Sequence, residues 1–139
     1  MKQDPFENLA DWGSVLDTIE EMASAGRLSA CQTGLIRILR YKGNWRLREA
    51  VLRHVGEIQT PSEELVHQVL TILDDDNTYY DARMLAGDAL PQLLNNMGGE
   101  GGRAIQRKAR EVLTRLRSTP QPPFFDKALN ATCSAVGIN

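Results

Sequence analysis

The chain has 139 residues, 42% of them hydrophobic and 24% charged, and a formal net charge of −2. That is one ordinary domain's length with enough apolar material for a core, which excludes wholesale disorder and fibrous repeats. No apolar run approaches the roughly 18–20 residues of a membrane span, and Met1 to Asp11 contain no apolar leader stretch, so a cytoplasmic protein is expected.

Strand signals are nearly absent and helical periodicity runs along the chain. The spacing predicts a first helix over about 7–25, with Leu9, Trp12, Leu16, Ile19, Met22 and Ala23 on its buried face and Gly26 as its stop. A second covers about 29–42, with Ser29 as cap, Leu35, Ile36 and Leu39 buried, and Gly43 as its end. The third, about 45–59, follows the cap Asn44 and buries Leu47, Val51, Val55 and Ile58. Thr60-Pro61-Ser62-Glu63 reads as a capping box with proline in the first turn and opens the fourth, whose stripe is Leu65, Val66, Val69, Leu70 and Leu73. The fifth, about 78–97, buries Ala82, Leu85, Ala86, Leu90, Leu93 and Leu94, and Pro91 inside it should kink or split it. The sixth, about 102–117, buries Ile105, Ala109, Val112, Leu113 and Leu116. Short loops between such helices make them antiparallel neighbours.

Residues 118–139 break the pattern. Pro120, Pro122 and Pro123 make a stiff, extended linker, followed by a short segment that is helical at most to about Val136. Two units are therefore expected, a helical repeat domain at 1–117 and a linker with a tail at 118–139.

The repeat shows when the third helix is set on the fifth with an offset of 35. Trp45 falls on Tyr80, Arg48 on Arg83, Val51 on Ala86, Val55 on Leu90 and Ile58 on Leu93. The first helix fits at an offset of 36 but lacks the arginine. A unit of about 35 residues with two helices describes an α-solenoid, in which each pair exposes an apolar face that the next pair covers. Asn44-x-x-Leu47-Arg48-x-Ala50, with Val55-Gly56-x-Ile58 after it, resembles the first helix of a HEAT-like repeat of the phycobilisome-lyase type. Asp76-Asn77 through Ala82-Arg83, Ala86 and Ala89-Leu90 resembles a second copy. The resemblance spans about 1–117 and is good over 44–94. It implies an all-α, right-handed stack of about three helical hairpins, usually with a binding role. It also implies that Arg48 and Arg83 are structural, pairing with acids or carbonyls between units. Some members of that family are implicated in bilin attachment and others in DNA-lesion repair, activities that the repeats alone do not carry.

Charge is segregated along the chain. Residues 1–25 hold six acids and one base, 26–54 seven bases and one acid, 55–99 eight acids and one base, and 100–139 seven bases and three acids. Such alternation either matches facing helices or makes separate patches for partners. Cys31 reads as a small core residue and Cys133 as a less constrained tail residue, both reduced. No motif for a metal, a cofactor or a catalytic nucleophile is present. His54 and His67 stand alone on their helices. Asp74-Asp75-Asp76-Asn77-Thr78 lacks the glycine and glutamate of a calcium loop and reads as a capping turn. Gly99-x-Gly101-x-x-Ala104 has the letters of a dinucleotide fingerprint without the preceding strand, and reads as a mobile loop.

Partner contacts are expected from the concave surface of the second, fourth and sixth helices and from the tail, with three groups of candidate residues. Trp45, Tyr79 and Tyr80 gather at the starts of adjacent first helices, as interface anchors or as packing between repeats. Phe124 and Phe125 either fold back over the last repeat or insert into a partner. Arg107, Lys108 and Arg110 on the sixth helix are the residues on which phosphate binding would depend. The second helices read basic, acidic, basic, so no continuous nucleic-acid groove is implied and a protein partner is favoured. The expected function is a non-catalytic scaffold or adaptor. The alternatives are a bilin-lyase-like or cofactor-maturation role, and a nucleic-acid-binding role.

Overall fold

Helical periodicity becomes seven α-helices in a computed structural model that describes residues 4–138; residues 1–3 and 139, the outermost positions of the two expected units, lie outside the described residues. They are α1 (Trp12–Ser24), α2 (Gln32–Arg40), α3 (Trp45–His54), α4 (Glu63–Asp74), α5 (Tyr80–Asn95), α6 (Gly99–Arg117) and α7 (Pro123–Ala135). Short 3-10 turns lead into α2 at Leu28–Cys31 and leave α3 at Val55–Glu57. The chain is all-α, with no strand among the described residues.

Helix ends obey local chemistry, with several corrections to the sequence reading. Gly26 has φ 68°, and the Arg27 and Gly26 amides donate to the Met22 and Ala23 carbonyls, so α1 stops where glycine permits the left-handed turn. Asn44 caps α3 by accepting from the Arg46 amide at 3.0 Å. The cap of α4 is Ser62, which accepts from the Leu65 amide at 3.1 Å, so Pro61 precedes the cap instead of sitting in the first turn. Ser29 is no cap; it lies inside the 3-10 turn. Nor does Gly43 end α2, because Tyr41 already turns extended at ψ 118°. Gly99 and Gly101, expected in a mobile loop, belong to the first turns of α6, where the Gly102 amide donates to the Gly98 carbonyl.

Packing makes two rows. α1 contacts α3, α3 contacts α5, and α5 contacts α7; α2 contacts α4 and α4 contacts α6. Contacts of α2 with α3, α4 with α5, and α6 with α7 join the rows. One apolar core runs from Phe6 to Cys133. Each buried Leu, Ile or Val in it contributes about 1.5–3 kcal/mol of transfer free energy.

Both ends of the stack are covered. At the first, Phe6 lies so close to α2 that a Cβ on Gly34 would sit 2.7 Å from its ring. Asp4 fastens this segment to Arg37 at 2.6 Å, and that guanidinium holds the Asp4 carboxyl below the usual carboxylate range. At the other end, the segment after the linker is the helix α7, which ends at Ala135 beside the expected limit of Val136. In α7, Phe125, Leu129 and Cys133 are buried against α5 and α6 and belong to the common core. Cys133 is thus as enclosed as Cys31.

Helix α5 is not split at Pro91. Proline has no N–H for the Gly87 carbonyl four residues back, which would leave a buried acceptor without a donor. The Thr132 hydroxyl of α7 supplies it, donating to Gly87 O at 3.1 Å. Thr132→Val should therefore lower stability by about 1–3 kcal/mol. In a Pro91→Ala background, where the helix provides its own N–H, the same change should cost far less. A double-mutant cycle in urea measures this; equal costs in both backgrounds would mean that Thr132 acts by packing alone.

Candidate functional site

The starts of α1, α3, α5 and α7 carry one aromatic residue after another: Trp12, Trp45, Tyr79 with Tyr80, and Phe124. Helix periodicity puts the middle of each helix into the core and leaves its first residue free to turn outward. Trp12 is 45% exposed and Trp45 51%. Trp12 was expected on the buried face of the first helix, but α1 starts at this residue, ahead of the Val15 and Ile19 stripe.

Ring contacts join these residues into an edge. The Arg46 guanidinium lies 5.4 Å from the Trp12 ring centre and 4.8 Å from that of Trp45. Trp45 meets Tyr79 edge to face at 6.3 Å. Tyr80 meets Phe124 at 5.2 Å and Phe125 at 5.0 Å. Such contacts are worth about 0.5–1.5 kcal/mol each, so they hold the rings in place as well as display them.

Tyr79 has a structural side. Its hydroxyl reaches the Trp45 carbonyl and the Glu49 carboxylate, both at 3.2 Å, and Glu49 also binds Arg53 at 2.9 Å. Burial and the Glu49 charge push the Tyr79 phenol well above its ordinary value, so it stays a donor. Phe125 is fully buried, while Phe124 beside it is 53% exposed. The pair therefore folds back over α5 instead of reaching out, and only Phe124 remains on the surface.

Arg48 and Arg83 are buried and make the same bond. Arg48 Nε donates to Leu39 O at 3.1 Å, and Arg83 Nε donates to Leu73 O at 2.9 Å. Each carbonyl lies in the last turn of the preceding helix, where no intrahelical donor remains. Arg83 also lies over the Phe125 ring at 4.5 Å.

The basic residues of α6 do not act together. Arg107 and Lys108 are exposed, and Lys108 borders a cleft of about 410 Å³ shared with Glu63, Glu64 and His67 of α4. Arg110 is occupied otherwise, donating to the Val136 carbonyl at the end of α7 at 3.2 Å. Elsewhere the alternating charge joins facing helices: Arg40 binds Gln68 and Glu64, and Arg115 binds Asp74. His54 is held between Glu20 and Glu57. Among the described residues no three His, Cys, Asp or Glu side chains converge as a metal site would require.

The acidic turn is built into the fold. Asp75 accepts from the Asn77 amide at 2.9 Å and the Thr78 hydroxyl at 2.7 Å, which fixes the approach to α5. Asp76 stands 3.7 Å from Arg83, and Asp74 binds Arg115 at 2.8 Å.

Sequence reasoning missed Trp12 and Arg46 as members of the edge. The available signal was Trp12 directly after an N-cap aspartate, as Trp45 comes after Asn44, with Arg46 next to it. No protein-family model, curated protein or solved structure matches the chain.

Burial pushes the Cys31 thiol up to about 11, and Cys133 is fully enclosed. Both should resist a thiol reagent at neutral pH until denaturant is added; rapid labelling of the native protein would contradict the packing. The Thr78 hydroxyl and Asn77 amide hold the Asp75 carboxyl below its ordinary value. A depressed folded pKa gives stability that is present above the unfolded value near 4 and is lost as pH falls through the folded one. Asp75→Asn should therefore destabilise at pH 7, with urea midpoints converging on those of the parent in acid.

Proposed function

We propose that the chain is a non-catalytic binding module that holds another protein along the aromatic edge. Its frame is a short right-handed α-solenoid of about three HEAT-like hairpins, closed by α7. Two arginines 35 residues apart, making the same bond to the preceding helix, support the repeat reading. So does the packing of alternate helices into two rows. Two unpaired, buried thiols suit the reducing cytoplasm.

The observation that carries the function is the display of Trp12 and Trp45, each about half exposed and each with its ring close to the Arg46 guanidinium. Tryptophan and arginine are the residues that most often dominate binding energy at protein interfaces. These rings are held by their neighbours, so a partner would lose little side-chain entropy in using them. The face made by α2, α4 and α6 is the weaker choice, because Arg37, Arg40 and Arg115 are already paired within the chain.

The test is to isolate tagged protein from its own host with nuclease, at low and high salt, beside a Trp12→Ala/Trp45→Ala variant. One stoichiometric protein should survive high salt and be lost from the variant, whose melting temperature should fall by no more than roughly 2–6 °C. Material removed by nuclease and salt would replace this reading with nucleic-acid binding. A retained visible chromophore would favour a cofactor-maturation role.

A further inference from the structure

The guanidinium beside the two tryptophans differs from those that the chain uses internally. Arg37, Arg40, Arg53, Arg83 and Arg115 each have a carboxylate of the chain within 4 Å. Arg48 and Arg110 donate to carbonyls. Arg46 is exposed and has no ion pair or side-chain hydrogen bond among the described residues, yet it is held in place by two indole rings. A guanidinium carries its N–H donors in one plane, and those of Arg46 have no side-chain hydrogen-bond acceptor among the described residues, so they are free for a ligand. That fork matches the two oxygens of a carboxylate. A flexible exposed arginine would have to be ordered on binding, whereas this one is ordered already.

Two anions have oxygens suited to such a fork, carboxylate and phosphate. The surroundings choose between them. Asp11 adjoins Trp12, Asp76 lies in the turn before Tyr79, and Asp81 is next to Tyr80, all of them exposed. A chain of phosphates laid along the edge would meet these carboxylates one after another. A single carboxylate placed beside the tryptophans meets one cation and two apolar rings.

We propose that Arg46, beside Trp12 and Trp45, is the docking point for one carboxylate in a segment of a protein partner: a Glu or Asp side chain pairs with the guanidinium and an adjoining apolar residue lies on an indole. The inference rests on the edge being the partner-binding surface, and it adds the chemistry that the edge selects.

The experiment selects short random peptides displayed on phage against the folded protein, then measures synthetic copies of the enriched peptides. Trp12 and Trp45 are the only tryptophans in the chain, so their emission reports directly on the site. Enriched peptides should carry Glu or Asp beside an apolar residue and should shift the tryptophan emission. Replacing that acid by its amide, or making Arg46→Ala, should weaken binding by about tenfold or more. Arg46→Lys should recover only part of the loss, since a lysine lacks the fork, and Arg107→Ala should change nothing. Thermal melts confirm that each variant is folded.

Peptides that need Trp45 but ignore both Arg46 and the amide replacement would overturn the carboxylate inference and leave the edge as a binding surface. No peptide that depends on Trp45 would overturn both. Oligodeoxythymidylate that shifts the emission with steep salt dependence, where acidic peptides do not, would assign the site to phosphate and overturn the proposal.

Discussion

Two buried guanidinium groups set the geometry on which the rest of the fold depends. A helix ends with carbonyls that no longer find a donor four residues on, and inside a packed stack water cannot reach all of them. Arg48 and Arg83 answer this from the first turn of the next helix, bonding Leu39 O and Leu73 O. A guanidinium keeps its charge in any surroundings, so it tolerates burial only where acceptors or aromatic faces meet it. For Arg83 the aromatic face is Phe125. Each arginine thereby fixes the start of one helix against the end of the one before it. Because those starts are fixed, the residues just ahead of the apolar stripes come out side by side, and the aromatic edge forms.

A stack of this kind has two ends that would otherwise leave apolar side chains in water. The chain closes them by different means. Phe6, in an irregular stretch, fits against a glycine and is tied down by Asp4 and Arg37. A whole helix, α7, covers the other end with Phe125 and Leu129. The second closure adds α7 to the row of α1, α3 and α5.

What could be read in the sequence was local. Apolar spacing marks the first six helices, Asn44 and Gly26 mark two of their ends, and the spacing of Arg48 and Arg83 marks two equivalent bonds to the preceding helices. The site was half legible: Trp45, Tyr79, Tyr80 and Phe124 stand on the edge, while Trp12 was assigned to the core and Arg46 was passed over. Trp12 was misplaced because an apolar residue one step before a stripe looks like part of it, and only the true helix start tells the two apart. The docking of α7 was left open between folding back and reaching out, since Pro120, Pro122 and Pro123 describe a stiff connection and carry no information about where the segment beyond it lies. Arg110 looked free in a basic helix because its acceptor, the Val136 carbonyl, is 26 residues away.

The pairing of Pro91 with Thr132 also makes the order of two substitutions matter. The Thr132 hydroxyl lies 3.2 Å from Ala128 O in its own helix as well as 3.1 Å from Gly87 O. A threonine at 132 could therefore arise first with its hydroxyl satisfied locally, as threonines in helices often are. A proline at 91 arising first would strand a buried carbonyl until the second change came. Of the two orders of substitution only one stays clear of an unstable intermediate, and once the proline is in place position 132 is no longer free to change. Residues 41 positions apart thereby constrain each other.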